Sequence, residues 1–258
     1  MRRAGHLARE VLDVAGRAVG PGVTTAELDA VVHAATVERG AYPSPLRYRG
    51  YPASCCTSVN EVVCHGVPGA RLLVEGDLVN VDVTVFTSEG VHGDCSETFC
   101  VSGGGIPAAS SCRLAQATYE ALMAAVEACR PGLPYSVLGD IIEDSLAPTP
   151  FSTVRDFCGH GIGQDFHTGP RIWHFRNSEW PFLGAGAMEV GHAFTIEPMV
   201  AEGSAEIADV EPDGWTVATA DGSRSVQFEH TLLLTASGVD VLTARLPESP
   251  PLFWEKKK

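Results

Sequence analysis

Leu78-Val79-Asn80-Val81-Asp82-Val83-Thr84-Val85-Phe86 alternates without a break, with Val79, Val81, Val83 and Val85 on one side and Asn80, Asp82 and Thr84 on the other. A repeat of two residues is that of a β-strand. The valine side calls for a core. The polar side carries a carboxylate into the middle of the strand, where a lone charge is costly unless donors, a salt bridge or a cation compensate it. Further along stand Gly93-Asp94, Gly159-His160-Gly161-Ile162-Gly163, Thr195-Ile196-Glu197-Pro198 and Gln227-Phe228-Glu229-His230-Thr231. No Lys or Arg lies within three residues of Asp82, Asp94, Glu197 or Glu229, so salt bridges local in sequence are closed to them. Four carboxylates and one imidazole suit divalent first-row ions, and two such ions can be held if some carboxylates bridge.

The glycines around His160 strip away side-chain bulk and let backbone or substrate come close to the imidazole. Cys64-His65-Gly66-Val67-Pro68 and Phe166-His167-Thr168-Gly169-Pro170 present two more histidines of this kind. Taken singly, each of these is more often a hydrogen-bonded structural histidine than a chemical one. His6, His33 and His92 have less to recommend them as site residues.

Sliding the chain against itself by 110 residues lays Pro21-Gly22-Val23 on Pro131-Gly132-Leu133, with Leu28 on Leu138 and Val32 on Ile142. Each copy reads as helix, Pro-Gly turn, helix, with apolar residues at three- and four-residue steps. At a shift of 115, Gly76–Asp82 meets Gly191–Glu197, and at 135 Gly93-Asp94 meets Phe228-Glu229, acid on acid each time. The order of features implies one pseudo-symmetric α+β domain over residues 1–258, with halves of about 1–105 and 106–245, rather than a solenoid.

A net charge of −14 disfavours work on phosphate backbones, so no nucleic-acid partner is expected. The basic run Lys256-Lys257-Lys258 reads as a solvated tail. The 8 cysteines lack the spacing of a disulfide scaffold, and no N-terminal stretch has the length of a signal or membrane segment. An intracellular, cytoplasmic setting is expected, or mitochondria or plastids if a leader has been removed.

The ordered set Cys-His-Gly-Val-Pro, Asn-Val-Asp-Val-Thr, His-Gly-Asp, Gly-His-Gly-Ile-Gly, Thr-Ile-Glu-Pro-Met and Gln-Phe-Glu-His-Thr resembles the type I methionine aminopeptidases, across nearly the whole chain. Only 29 residues separate His167 from Glu197, which leaves no room for the helical insertion of the type II members. The resemblance implies the pita-bread fold: a central curved antiparallel sheet covered by two pairs of helices. It implies that Asp82, Asp94, His160, Glu197 and Glu229 hold two divalent ions (Co, Mn, Fe or Zn), Asp94 and Glu229 bridging. His65 and His167 become substrate-contacting residues, and Tyr48, Tyr51, Cys56, Phe166 and Trp215 map onto the pocket for the methionine side chain. Asn60, Val62 and Ser225 map onto a main-chain site for a monovalent cation, Na or K.

The activity so implied is removal of the N-terminal methionine of nascent chains with a small second residue, by a metal-bridged water with Glu197 as general base. A monomer with transient ribosome association goes with it. The sequence departs from the family pattern in three places. The stretch 86–92 is one residue longer than usual, Pro45 replaces a common pocket cysteine, and Ala185-Gly186-Ala187-Met188 lies in a lengthened segment. The competing readings are a prolidase or aminopeptidase P on the same fold, and a non-catalytic peptide-binding relative. The filled set of five ligand positions speaks against the latter.

Overall fold

In the computed structural model, which describes residues 1–177 and 186–255, each Pro-Gly pair closes a helix–turn–helix unit. Helices α1 (Arg2–Ala18) and α2 (Thr25–Glu38) flank the first pair; α3 (Ala109–Ala128) and α4 (Ser136–Leu146) flank the second. Gly22 and Gly132 have φ of 85° and 84°, a left-handed conformation in which a Cβ would be strained. Thr24 caps α2 with Glu27 in a reciprocal pair: the Glu27 N–H donates to Thr24 Oγ1 at 3.1 Å and the Thr24 N–H to Glu27 Oε2 at 2.7 Å.

The first half carries strands β1 (Tyr42–Pro43), β2 (Cys56–Val59), β3 (Val62–Cys64), β4 (Leu78–Phe86) and β5 (His92–Cys100). The second carries β6 (Ser152–Thr153), β7 (Cys158–Gly161), β8 (Thr168–Trp173), β9 (Ala193–Ile196), β10 (Met199–Ala201), β11 (Val217–Ala218), β12 (Ser225–Gln227), β13 (Glu229–Thr235) and β14 (Gly238–Val241). A nine-stranded antiparallel sheet runs β1-β4-β5-β13-β9-β7-β8, with β2 also on β4 and β14 also on β13. The halves meet where β5 pairs β13, placing Glu229 opposite Ser96. The structure thus has the expected α+β pita-bread architecture, a curled antiparallel sheet with four helices. Among the described residues no helix is long and apolar enough to cross a membrane.

Helix α1 lies directly on β5, since a Cβ on Gly93 would stand 2.4 Å from the Ala4 carbonyl. Leu7, Val11, Leu12 and Ala15 of α1 bury against Val79, Val81, Val83 and Val85, the side that the alternation assigned to the core. Leu114, Leu122, Leu138 and Ile142 do the same under Phe194 and Phe228. Each large side chain buried in this way contributes roughly 1.5–3 kcal/mol. Glu97 is the exception on the apolar side of β5. Arg9 reaches it from α1 at 3.1 Å and Arg245 from the C-terminal segment at 2.5 Å, so its buried charge is matched. The helices cover one side of the sheet and leave the polar side free to form a site.

Candidate metal centre and substrate pocket

Strand register decides which polar residues share the free face. Asp82 stands opposite Ser96 and Asp94 opposite Thr84 on the β4–β5 ladder, and Glu229 stands opposite Ser96 from β13. Paired residues point to the same side, so Asp82, Asp94 and Glu229 converge. The second half adds His160 from β7 and Glu197 from just beyond β9. His160 Nε2 lies 3.7 Å from Asp94 Oδ2 and 3.6 Å from Glu197 Oε1. Ligand atoms of Asp94, His160 and Glu229 all lie within 4.8 Å of one another, and these three residues are buried.

Two glycines explain how His160 gets there. A Cβ on Gly159 would meet the Thr195 carbonyl oxygen at 2.3 Å, and one on Gly161 the Gly169 carbonyl oxygen at 2.1 Å. The flanking glycines therefore let β8 and β9 close on β7, so the close approach is that of backbone. The His160 N–H donates to Thr195 Oγ1 at 3.0 Å, and His160 Nδ1 lies 3.1 Å from the Gly161 carbonyl oxygen. A carbonyl only accepts, so Nδ1 carries the proton and the Nε2 lone pair faces the acids. Burial pushes the imidazole pKa down to about 4, keeping it neutral.

A lone pair aimed at two carboxylate oxygens is repulsive unless a proton or a metal cation lies between them. The acids give the same message. Burial raises Asp82 to about 7 and Glu197 to about 8. Burial also holds Asp94 and Glu229 well above the usual carboxylate range, Asp82 adding to Asp94 and Asp94 to Glu229. None of the four has a Lys or Arg partner among the described residues. Oxygen donors with one imidazole and no compensating charge fit divalent metal ions.

The titration has a sign that can be tested. A carboxyl whose folded pKa lies above its unfolded value near 4 stabilises the fold fully below that value, and loses this contribution as pH rises through the folded pKa. The window for Asp82 and Glu197 is therefore about pH 4 to 8. Metal-free protein is expected to lose thermal stability as pH rises from 5 to 8.5. Mn²⁺ is expected to flatten that slope and to release protons on binding. Scanning calorimetry across this range, with and without Mn²⁺, checks it; a slope of opposite sign without metal would refute the assignment.

Hydrogen bonds hold the acids in place. Thr84 Oγ1 donates to Asp94 Oδ1 at 2.7 Å, and Thr195 Oγ1 donates to Glu197 Oε1 at 2.7 Å. Gln227 Nε2 reaches Glu197 Oε2 at 3.3 Å. The Glu197 main-chain N–H donates to Nε2 of His174, a fully buried imidazole, at 3.2 Å. Sequence reasoning passed over His174. It carries no flanking glycine and falls in no motif, and its contact is made across strands.

Beside this cluster opens a cavity of about 550 Å³ lined by Tyr48, Tyr51, Cys56, Phe166 and Trp215, by His65 and His167, and by Pro45. All five expected ligand residues also line it. Tyr51 and Trp215 meet edge to face at 5.2 Å, and Tyr48 and Phe166 lie tilted at 53° with centroids 4.8 Å apart. Burial, then the nearby Asp82, pushes the Cys56 thiol well up, so this wall is a neutral thiol. His167 Nδ1 lies 3.1 Å from the Tyr48 hydroxyl, and its ring centroid is 4.2 Å from that of His160. Burial, then His160, lowers the His167 pKa to about 3. His65 has φ of 56°, an uncommon left-handed conformation for a residue with a Cβ, and its ring meets Phe157 at 5.4 Å.

His92 Nδ1 pairs with Ser44 Oγ at 2.8 Å, His33 Nδ1 with Ser54 Oγ at 2.8 Å, and His6 with Glu10 at 3.3 Å; none of them lines the cavity. Away from the cavity, the Ser225 N–H donates to the Asn60 carbonyl at 2.8 Å, and Val62 pairs Ala218. The three residues mapped to a cation therefore lie on adjoining β2–β3 and β12 segments. Of the lengthened stretch, Ala185 lies outside the described residues. Gly186 and Met188 hydrogen-bond the turn between α3 and α4, and Lys256 to Lys258 are likewise undescribed.

The sequence profile of Metallopeptidase family M24 matches residues 1–236. The chain belongs to this family. Its M24 relatives include methionine aminopeptidase 1A of Arabidopsis thaliana, 51% identical over 98% of this chain and 61% of that protein. Methionine aminopeptidase 1 of Dictyostelium discoideum is 49% identical over 95% of this chain and 64% of its own length. The chain thus spans about three-fifths of the length of these curated relatives. Among solved structures, methionine aminopeptidase from Rickettsia prowazekii superposes with a TM-score of 0.88 at 41% identity, covering 94% of this M24 chain and 95% of that one. These matches agree with the resemblance carried by the ordered motifs.

Proposed function

We propose that this M24 chain is a methionine aminopeptidase, a metalloexopeptidase that removes the N-terminal methionine from peptides and nascent proteins whose second residue is small. The observation that carries this reading is the convergence of Asp94, His160 and Glu229 beside an aromatic-lined cavity of about 550 Å³. The catalytic unit is the single domain of residues 1–258. Asp82, Asp94, His160, Glu197 and Glu229 would hold two divalent ions of the Co, Mn, Fe or Zn class, with Asp94 and Glu229 shared. Such ions, when bound, lower the pKa of a shared water and polarise the scissile carbonyl.

Glu197 accepts the proton of the attacking water and passes it toward the leaving amine. Thr195 and Gln227 orient its carboxylate for this transfer. With the Tyr48 hydroxyl, 3.1 Å away, donating to His167 Nδ1, the neutral imidazole would present its Nε2–H to the oxyanion that develops on the carbonyl. His65 lies on the same cavity wall and assists departure of the scissile nitrogen. Tyr48, Tyr51, Cys56, Phe166 and Trp215 receive the thioether, whose polarisable sulfur packs well on aromatic edges. The substrate's free amino group would join the donor set of bound ions, which would restrict release to the first residue.

The carbonyls of Asn60, Val62 and Ser225 would take a monovalent cation, Na or K, that ties the β2–β3 turn to β12. The protein acts as a monomer in the cytoplasm, near the ribosome from which its substrates emerge, or in mitochondria or plastids. Its partners are peptide chains and neither nucleic acid nor membrane.

The test is release of methionine from Met-Ala-Ser and Met-Leu-Ser after chelation and stepwise return of Mn²⁺ or Co²⁺. Recovery with metal and a preference of at least about ten-fold for the Ala peptide are expected. Preference for Xaa-Pro dipeptides would assign a prolidase instead. Bound metal without release of any methionine would leave a peptide-binding protein.

A further inference from the structure

We infer that His174 is a positioning residue for Glu197, fixing the main chain from which the proton-accepting carboxylate projects; this rests on the role proposed for Glu197. Glu197 stands where the chain leaves the nine-stranded sheet. It follows the last residue of β9, Ile196, and precedes Pro198 and the start of β10 at Met199. Strand β9 belongs to the nine-stranded sheet and β10 to the three-stranded one, so the chain changes sheets at Glu197-Pro198.

A chain that leaves a ladder strands its next main-chain N–H. The register of β9 with β13 ends at Ile196 and that with β7 at Phe194, and Pro198 has no N–H to offer. A buried N–H must find an acceptor elsewhere. Here the acceptor is the imidazole of His174, at 3.2 Å from Glu197 N and 1% exposed. An acceptor at Nε2 must carry its proton on Nδ1, so the ring is used as a fixed lone pair.

His174 directly follows β8, whose Trp173 pairs Cys158 of β7. The strand that places His160 therefore also places, through its neighbour, the group that pins Glu197. Three residues then define the position of Glu197: His174 at the main chain, Thr195 at Oε1 and Gln227 at Oε2. Thr195 also accepts from the His160 N–H, so two metal-facing side chains and their supports form one connected unit. A ligand support of this type governs both the affinity for metal and the alignment of the base.

His174→Leu keeps the volume and removes the acceptor; His174→Gln returns an acceptor near the place of Nε2; His174→Asn falls short of it. Mn²⁺ affinity by titration calorimetry, thermal unfolding, and kcat and KM for Met-Ala-Ser are measured on all three. The Leu variant is expected to bind Mn²⁺ about 10–100-fold more weakly and to lose kcat more than KM. The Gln variant is expected to recover most of both, and the Asn variant little. Should Leu fail to fold, the contrast between Gln and Asn carries the test. Parent-like Mn²⁺ affinity and kcat in the Leu variant would overturn the inference, as would a Gln variant no better than Asn or Leu. Failure of the parent protein to release methionine would instead count against the peptidase reading, while the Mn²⁺ affinities would still test His174.

Discussion

Glu197→Gln is expected to lower kcat for release of methionine from Met-Ala-Ser by about 10²–10⁴-fold, with KM changed far less. The amide keeps the shape of the carboxylate and can still accept from Thr195, whose hydroxyl donates to Oε1 at 2.7 Å. It cannot take up a proton. A loss of this size corresponds to about 3–5 kcal/mol of transition-state stabilisation, near what a positioned general base supplies. Steady-state kinetics on protein with verified metal content checks it, because metal content separates loss of the base from loss of a ligand. A variant that keeps its metal and stays within ten-fold of the parent would move the base to another residue.

Asp94→Asn is expected to act in opposite directions on metal-free and metal-loaded protein. Asp94 is 3% exposed, and burial, then the charge on Asp82, holds its carboxyl well above its ordinary range. Such a group stabilises the fold when protonated, and that stabilisation disappears as pH climbs through its folded value. An asparagine has no charge to lose or gain. At pH 8 the metal-free variant should therefore melt above the metal-free parent. Metal reverses the order. Binding at 1,000 times Kd stabilises a protein by about 4 kcal/mol, on the order of 10 °C in Tm for a chain of this size. The variant, having lost the carboxylate that faces both His160 and Glu229, should show little of that gain. Calorimetry at pH 8 with and without Mn²⁺ reads both effects; a parent-like rise in Tm would remove Asp94 from the ligand set.

Much of the metal centre is visible in local pattern. Strict alternation places Asp82 opposite the valines, and in the structure those valines bury under α1. The glycines around His160 mark a close approach, which proves to be that of the Thr195 and Gly169 carbonyls. The Pro-Gly turns mark both helix pairs through a backbone conformation that glycine alone adopts freely. The cavity wall is a different case. Tyr48, Tyr51, Cys56, Phe166 and Trp215 share no period and span residues 48 to 215, so only resemblance to a family could assemble them in advance.

Local sequence by itself determined the elements, the polar face of β4 and the acids that need a counter-charge, because strand and helix periods and the cost of a buried charge act within a few residues. Tertiary structure alone decided that Glu97, on the apolar side of β5, is matched by Arg9 and Arg245. It also decided that His174 rather than a glycine-flanked histidine supports the Glu197 main chain. The reason is physical: such pairings depend on which strands meet and in which register, and on where a chain leaves its sheet and strands an N–H, and neither is written within the few residues around the group concerned.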